Sequence, residues 1–460
     1  MFVLSLIAFG LALSLLFQLD IHELSGLRVG YYAWLSSHFV LVVASAVELY
    51  RRVLRPPASK RLRWKQLSLR ALFVVTGVIA VALAIFVMPV VRLRQQRKTV
   101  SEIEVLNGQV VYDPALEYSR SRFRWFARCI YGDDVFQSVL RVRMGGSGKS
   151  VGDSDLRYLA SLHGLESLSL KNAQLSRVGV AHLSGLPSLT HLTISDSLVA
   201  EGTFERLKRI PSLRELTLQR VPLSRDLLEE LGSLRSVRVF LTMTSTLSTD
   251  EMSTLVESQN IHTLAFDRVR VPPETWMRMG RVGGLRRLCF GGMSLPGSAF
   301  EAIGRQTQLH VLSMQNVRAT DDAWAEMPRL EQLRELMFHD MVLSISACEA
   351  IGRQSRLHYL NLNDTSIAAG GLVSVNHLKN LETLALHRTG VTAEDLRQIH
   401  ELRQLARLEL RATRVSDEIC DTLRQMTSLR SLNLTHTLVS QKAVDQLRED
   451  LPGCDVRYER

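Results

Sequence analysis

From Leu165 to Leu429 the pattern Leu-x-x-Leu-x-Leu returns with a constant period of 24, eleven steps without insertion or deletion. A fixed period of this kind constrains the fold more than any other feature of the chain, because every unit must take the same local structure and stack on its neighbour. The pattern is read at Leu165-Leu168-Leu170, Leu189-Leu192-Ile194 and Leu213-Leu216-Leu218, and onward to Leu381-Leu384-Leu386, Leu405-Leu408-Leu410 and Leu429-Leu432-Leu434. Two weak members, Val237-Phe240-Thr242 and Ile261-Leu264-Phe266, keep the phase.

With the first leucine of each unit as place 1, further apolar residues recur at places 11, 16, 19 and 22, as in Leu175, Val180, Leu183 and Leu186. The first six places alternate apolar with polar, the period of a strand, whereas places 16, 19 and 22 lie one helical turn apart. Each unit is therefore strand, turn and helix. Ser or Thr often stands at place 12, as in Ser248 with Glu251 three residues on, or Thr392 with Asp395, the pattern of a helix N-cap with its capping-box partner. One such unit cannot bury its apolar side alone, so the units stack. The expected architecture is an α/β leucine-rich-repeat solenoid, a parallel strand face plus a helix face in 24-residue units, preceded by transmembrane helices. Place 9, often Asn in such repeats, holds Thr365, Thr389, Thr413, Thr437, Ser197 and Ser245, or else Val221, Val269, Met293, Val317 and Met341. An Asn ladder is thus not expected at the turn.

Residues 1–98 are a different material. Residues 2–19, 29–47 and 71–91 carry no charge over 18, 19 and 21 positions, each about the length that crosses a bilayer core of roughly 30 Å. The first is an uncleaved span or a secretory signal; no Lys or Arg precedes it, which favours the span. His38 lies inside the second and is expected to face other spans rather than lipid; alone it is no evidence of a relay. Between the second and third spans stand Arg51, Arg52, Arg55, Lys60, Arg61, Arg63, Lys65 and Arg70, which by the positive-inside rule puts that loop in the cytoplasm. Arg92, Arg94, Arg97 and Lys98 after the third span pull the other way, but eight charges against four favour repeats on the outside. The expected localisation is a multi-pass membrane protein with extracytoplasmic repeats.

Residues 1–98 hold 13 Lys plus Arg against 3 acids, so the rest of the chain holds 43 of each and balances to zero. The net charge of +10 belongs to the membrane region. No nucleic-acid partner is expected, since that would need a basic face on the repeats. The five cysteines form no framework: Cys348 and Cys420 share inward place 16 three units apart, roughly 14 Å at strand spacing. A disulfide needs Cα atoms within about 7 Å, so both are read as core thiols. Cys129 and Cys454 fall near opposite ends of the repeats, and Cys289 is on a strand.

Residues 99–138 read as a collar over the open end of the stack: a helical pattern with Val100, Ile103, Val105 and Leu106, an Asn107-Gly108 turn, a strand at residues 109–112 and an aromatic-basic stretch at residues 123–131. The strand Val139-x-x-Val142-x-Met144 opens an irregular first unit, two places longer than the rest. The solenoid runs over residues 139–453, and residues 454–460, with a short strand near Val456, cap the far end. The order Ser68-Leu69-Arg70-Ala71-Leu72-Phe73, apolar span, Arg-rich stop, the sequence of residues 102–113, then Gly132-Asp133-Asp134-Val135-Phe136, resembles membrane-anchored leucine-rich-repeat proteins of planctomycete-type bacteria over about residues 60–460. That resemblance implies a surface-displayed or periplasmic recognition module with no catalytic residues to carry over. Two additional spans depart from the single anchor of that family.

Three constellations invite chemistry. Gly145-Gly146-Ser147-Gly148-Lys149-Ser150 ends like a phosphate-binding loop, but the full spacing needs glycine at Arg143, and no doubly wound sheet follows. A flexible turn is the better reading. Place 7 on the concave strand face gives Gln315, His339, Asn363, His387 and Arg411, with Asp340, Asp364 and Arg388 beside them. His339 and His387 are two repeats apart, roughly 10 Å, too far to share one zinc, so no metal or other cofactor is expected. The column reads instead as a candidate partner-binding surface of His339, Tyr359, Asn361, Asn363, His387, Arg388, Arg407, Glu409 and Arg411, against the alternative of plain solvated surface. Val239, Leu241 and Met243 fall at outward places, so they form an exposed apolar patch or the strand slips by one residue; the slip is preferred.

The function expected is a membrane-anchored, non-enzymatic module that binds a protein or envelope partner through the concave repeat face. The alternative is a transmembrane sensor or structural protein whose membrane helices relay a signal. The topology has a direct test: protease added to intact cells, or to cells with any outer layer opened, should remove the repeats. Full protection in opened cells would place the repeats inside.

Overall fold

The structure, a computed structural model, describes residues 88–106, 108–112, 139–146, 150–244, 246–399 and 401–459. The three expected spans lie outside the described residues, except for residues 88–91, as do His38, Cys129 and the aromatic-basic stretch at 123–131. Among the described residues no helix is long and apolar enough to cross a membrane. The chain divides into two units, Met1–Val142 with Tyr158–Leu165, and Arg143–Arg157 with Glu166–Arg460.

In the first unit a helix spans Met88–Val105. It stops where the Gly108 N–H donates to the Ile103 carbonyl at 2.8 Å, and the strand Gln109–Tyr112 follows. Ile103 is fully buried, and the buried Thr99 hydroxyl donates to the Tyr158 carbonyl at 3.1 Å and lies 2.7 Å from Ser161 Oγ.

In the second unit the described residues include thirteen strands, from Ser167–Lys171 to Asp455–Arg457, hydrogen-bonded in sequence order and parallel throughout. Partner residues step by 24, as in Ser167↔His191, His191↔Glu215 and Arg287↔Val311, and onward to Ser431↔Asp455. This is the register of a leucine-rich-repeat solenoid, strand and helix alternating once per unit. Inward leucines such as Leu168, Leu170, Leu192, Leu216, Leu384 and Leu408 are 0–1% exposed. The short strand expected near Val456 is present at Asp455–Arg457.

The step changes at one strand. Arg238–Met243 pairs Leu216↔Val239 on one side and Leu241↔Leu264 on the other, so each step is one short of the period, with an irregularity between Val239 and Phe240. The slip is therefore the solution this sequence takes. Val239, Leu241 and Met243 are at most 2% exposed, while Phe240 and Thr242, inward under strict phase, are half-exposed. Burying three apolar side chains outweighs keeping phase, since each is worth about 1.5–3 kcal/mol.

Helices begin where place 12 suggests. Ser176, Ser224, Ser248, Thr320, Ser344, Thr392 and Ser440 each accept a backbone N–H from the first turn. Both capping boxes form: the Ser248 N–H donates to Glu251 at 2.8 Å and the Thr392 N–H to Asp395 at 2.9 Å. Where the helices are short, large side chains fill the space at place 16. Trp276, in the helix Pro273–Arg278, meets Phe266 and Phe290 at ring distances of 5.3 and 5.9 Å. Trp324, in Asp321–Ala325, meets Phe300 and Phe338 at 4.8 and 5.7 Å.

Place 22 is not always apolar. Gln306 and Gln354 occupy it, and both are at most 2% exposed. Each amide bridges units: Gln354 Oε1 accepts the Leu330 N–H at 2.9 Å, while its Nε2 donates to the Pro328 and Ala350 carbonyls. Gln306 does the same for Val282, Gly280 and Ala302. A buried amide so placed is tolerated because its polar atoms are paired. Cys348 and Cys420 are buried free thiols, in keeping with a core role.

The turn after each strand is set at place 8, where the backbone is left-handed in almost every unit: Asn172, Asp196, Arg220, Arg268, Gly292, Asn316, Asp340, Asp364, Arg388, Ala412 and His436 have φ between 49° and 59°. In most of these units the N–H donates to the place 7 carbonyl of the next unit, as from Asn172 to Ser195, Asp364 to His387 and Ala412 to Thr435. For a residue with a Cβ this conformation costs about 1 kcal/mol. Replacing Ala412 with glycine should therefore raise the stability of the repeat unit by about 0.5–1 kcal/mol in urea titration, and an unchanged or lower midpoint would count against a strained turn.

Candidate functional site

The outward face of the sheet is built from places 3, 5 and 7, and the left-handed residue at place 8 extends it by one column. Strand ends are thus held where side chains at places 7 and 8 of adjacent units can meet. At place 9 the turn is buried with either residue type: Thr365, Thr389 and Thr413 are 1–5% exposed, and Val221, Val269, Met293, Val317 and Met341 are 3–8% exposed, while Thr437 in the last unit is half-buried. The threonine hydroxyls close locally, from Thr389 to the Leu386 carbonyl at 2.6 Å and from Thr413 to that of Leu410 at 2.7 Å.

The nine candidate residues separate into three groups. Tyr359 and Asn361 lie on the strand Tyr359–Asn361, both half-buried, with Asn361 Nδ2 donating to the Tyr359 hydroxyl at 3.2 Å. Asn361 Oδ1 accepts the Asn363 N–H at 2.9 Å, and Asn363 Oδ1 accepts the His387 N–H at 2.8 Å. These amides therefore hold backbone as well as face solvent. His339, Asp364 and Arg388 form a second group over three successive units: His339 Nδ1 and Arg388 Nη1 each lie 3.6 Å from the Asp364 carboxylate. Arg407, Glu409 and Arg411 make the third, on and beyond the strand Arg407–Glu409, with both arginines exposed and Glu409 half-buried. The structure joins the first two groups through adjacent places 7 and 8 and leaves the third beside them.

A comparable cluster stands on earlier units. Asp196 takes a two-point contact from Arg220, at 2.5 and 2.7 Å, with Lys171 at 4.0 Å. The Arg220 hydrogen bond holds the Asp196 carboxyl below its usual range. On the strands beside it, Glu215 is bridged by His191 at 3.3 Å and Arg238 at 2.7 Å. Sequence reasoning passed over Asp196 and Arg220; the signal was the Asn, Asp and Gly content of place 8, which marks a left-handed position.

Among the described residues no three metal-ligating side chains converge. Cys289, Cys348, Cys420 and Cys454 all have thiols pushed up by burial, Cys348 to about 11, the reverse of an activated nucleophile. At Gly145 and Gly146 the backbone has φ of 82° and 145°, and a Cβ on Gly145 would stand 1.9 Å from the Lys171 carbonyl oxygen. Gly145 serves a close approach to the first full repeat, whereas Gly146 answers only to its backbone conformation; residues 147–149 lie outside the described residues.

The chain matches no protein-family model and no curated protein. Among solved structures it is similar to an internalin of Listeria monocytogenes, 18% identical, covering 67% of this chain and 88% of that one at a TM-score of 0.43. It is also similar to a leucine-rich-repeat protein of Leptospira interrogans, 18% identical, covering 65% and 91% at a TM-score of 0.37. The assignment of the fold rests on the strand register.

The two kinds of polar residue should separate by mutation. Asn363→Ala leaves the His387 N–H without its acceptor and should cost about 1–3 kcal/mol in urea titration. Asp364→Asn, which removes the charge from the ion pairs and keeps a residue suited to the left-handed turn, should cost under about 1 kcal/mol. Equal costs would mean that Asn363 is as dispensable as a surface charge.

Proposed function

We propose that this chain is a membrane-anchored, non-enzymatic recognition module whose repeats, outside the cytoplasmic membrane, bind a protein or cell-envelope partner through the concave sheet face. The observation that carries the reading is the regular sheet itself: from Leu165 to Leu429 the sequence carries no insertion to house a catalytic centre, so its action falls to columns of side chains at fixed spacing. Tyr359, Asn361 and Asn363 are half-buried and hydrogen-bonded, and Arg388, Arg407 and Arg411 stand exposed beside them. Ordered aromatic and amide groups flanked by arginines lose little freedom on binding, and these residue types are frequent at binding hot spots. The zero net charge of residues 99–460 fits a partner chosen by shape and local hydrogen bonding rather than by bulk attraction.

A photo-crosslinking residue at position 359, in the full chain in its own cells, should capture a discrete partner. The same residue at exposed Glu301, in the helix Gly297–Gly304, should not. Capture from position 301 alone would move recognition to the helix face.

The second reading, a sensor that signals through its membrane helices, draws on the two additional apolar segments at residues 2–19 and 29–47. Deleting residues 1–48 separates the two. A merely anchored module keeps the membrane and the crosslinked partner; loss of an intracellular response with capture retained would favour the sensor.

A further inference from the structure

A cavity lies apart from the sheet face. It lies on the turn edge of three successive units, has a volume of about 630 Å³, and is lined by Arg268, Arg270, Gly292, Ser294, Asn316 and Arg318, with Pro272 and Met293 among the apolar groups. The period explains its existence. Arg268, Gly292 and Asn316 stand at place 8 of the three units, and Arg270, Ser294 and Arg318 at place 10. Small residues in the middle unit therefore make a floor, and long ones on either side make walls, the arginines at place 10 standing roughly 10 Å apart at strand spacing.

The walls are held in place by backbone. The Arg268 N–H donates to the Gly291 carbonyl at 2.8 Å, Gly292 to Gln315 at 2.9 Å, and Arg318 to Met293 at 3.0 Å, with Ser294 and Arg318 paired in a parallel bridge. Gly292 has φ 59°, and a Cβ there would stand 2.9 Å from Arg268 Cγ. Glycine thus lets the stem of Arg268 lie against the middle unit.

The charge is one-sided. The lining holds three guanidinium groups and no carboxylate. Asp267 reaches Arg268 at 3.7 Å, and among the described residues no ion pair joins Arg270 or Arg318 to an acid. Residues 99–460 balance 43 positive against 43 negative charges, so three arginines facing a single carboxylate in a concavity depart from that balance. Planar guanidinium groups favour phosphate or carboxylate oxygens through paired hydrogen bonds, while Asn316 and Ser294 offer donors and acceptors for hydroxyls, and Pro272 and Met293 offer apolar contact.

We propose that this turn-edge cavity binds a phosphorylated polyol or sugar, its phosphates on Arg268, Arg270 and Arg318 and its hydroxyls toward Asn316 and Ser294. The site is distinct from the sheet face and does not depend on the partner proposed for it.

The test is calorimetric titration of the full chain in non-ionic detergent at physiological salt, with inositol trisphosphate and with a water-soluble short-chain phosphatidylinositol bisphosphate as probes. Equal binding of both identifies the free headgroup as sufficient, and tighter binding of the second a lipid-borne source; either supports the site if the variants behave as follows. Arg270→Ser with Arg318→Ser should weaken binding at least about tenfold, since a hydrogen bond to a charged group is worth about 1.5–3 kcal/mol. Ser294→Trp removes no charge but fills the floor, and should weaken binding as much. The same place 10 carries Val342 at 80% exposure in another unit, so bulk there is compatible with the fold. Arg334→Ser with Arg356→Ser, both exposed, at places 2 and 24 of one other unit, should bind like the parent chain. The proposal is overturned by no binding of either probe, by full binding in the Ser294→Trp chain, or by equal losses in the two arginine pairs.

Discussion

The stack depends on a backbone bond made at the end of most strands. The place 8 N–H, turned into the left-handed region, donates to the place 7 carbonyl of the next unit and so carries the parallel ladder one residue past the strand. Without it the chain would leave the sheet at place 7 and the buried turn at place 9 would lose its position. Ten non-glycine residues accept this conformation, including Arg220, Arg388 and Ala412, which have no local reason to prefer it. Stacking on both sides compensates a cost that a lone turn would not tolerate. That is why the terminal units need covering more than the middle ones do.

With the backbone so fixed, side chains divide by task. Inward leucines supply the apolar area, while buried Gln306 and Gln354 reach across to the previous unit and satisfy amides that the short helices leave open. Asn363 makes the reverse tie on the outward face, accepting the His387 N–H of the next unit. Polar groups at this interface therefore act as cross-unit ties. The surface charges are a looser population, joined at 3.6 Å in the His339, Asp364 and Arg388 group and at shorter range around Asp196, and free to be recruited by a ligand at modest cost.

Much of the fold was legible because a period is a global statement made locally. Leu165 to Leu434 announced the strand, Ser248 with Glu251 and Thr392 with Asp395 announced helix starts, and the structure forms both capping boxes. Val239, Leu241 and Met243 stood out as apolar residues in the wrong phase; the sequence left two solutions, and burial decided between them. Place 22 misled, since Gln306 and Gln354 look like lapses in an apolar column until their amides are followed to carbonyls of the previous unit. The left-handed column was hidden because Arg and Ala share it with Asn, Asp and Gly. The cavity at Gly292 and Ser294 was invisible for a different reason: it arises from a difference in side-chain size between successive units, and appears only when three are laid side by side. For the candidate surface, sequence spacing named the residues, but not which of them, such as Asn363, are committed to holding the backbone.

The slipped strand Arg238–Met243 has a consequence for how the stack can change. Elsewhere partners keep the full period, so a whole unit could be lost or duplicated and its neighbours would still meet in phase. Across this strand both flanking steps fall one short, and the offset accumulates to two between Leu218 and Leu264, which both meet Leu241. Yet Leu216 and Leu218 on one side and Leu264 and Phe266 on the other hold the same places 4 and 6, so both flanks are written in one frame and the offset lies wholly in the pairing of this strand. Units on the two sides are therefore interchangeable in sequence, and the slipped strand is the joint between them, its Val239, Leu241 and Met243 fitting only where the neighbours are displaced against each other by two residues.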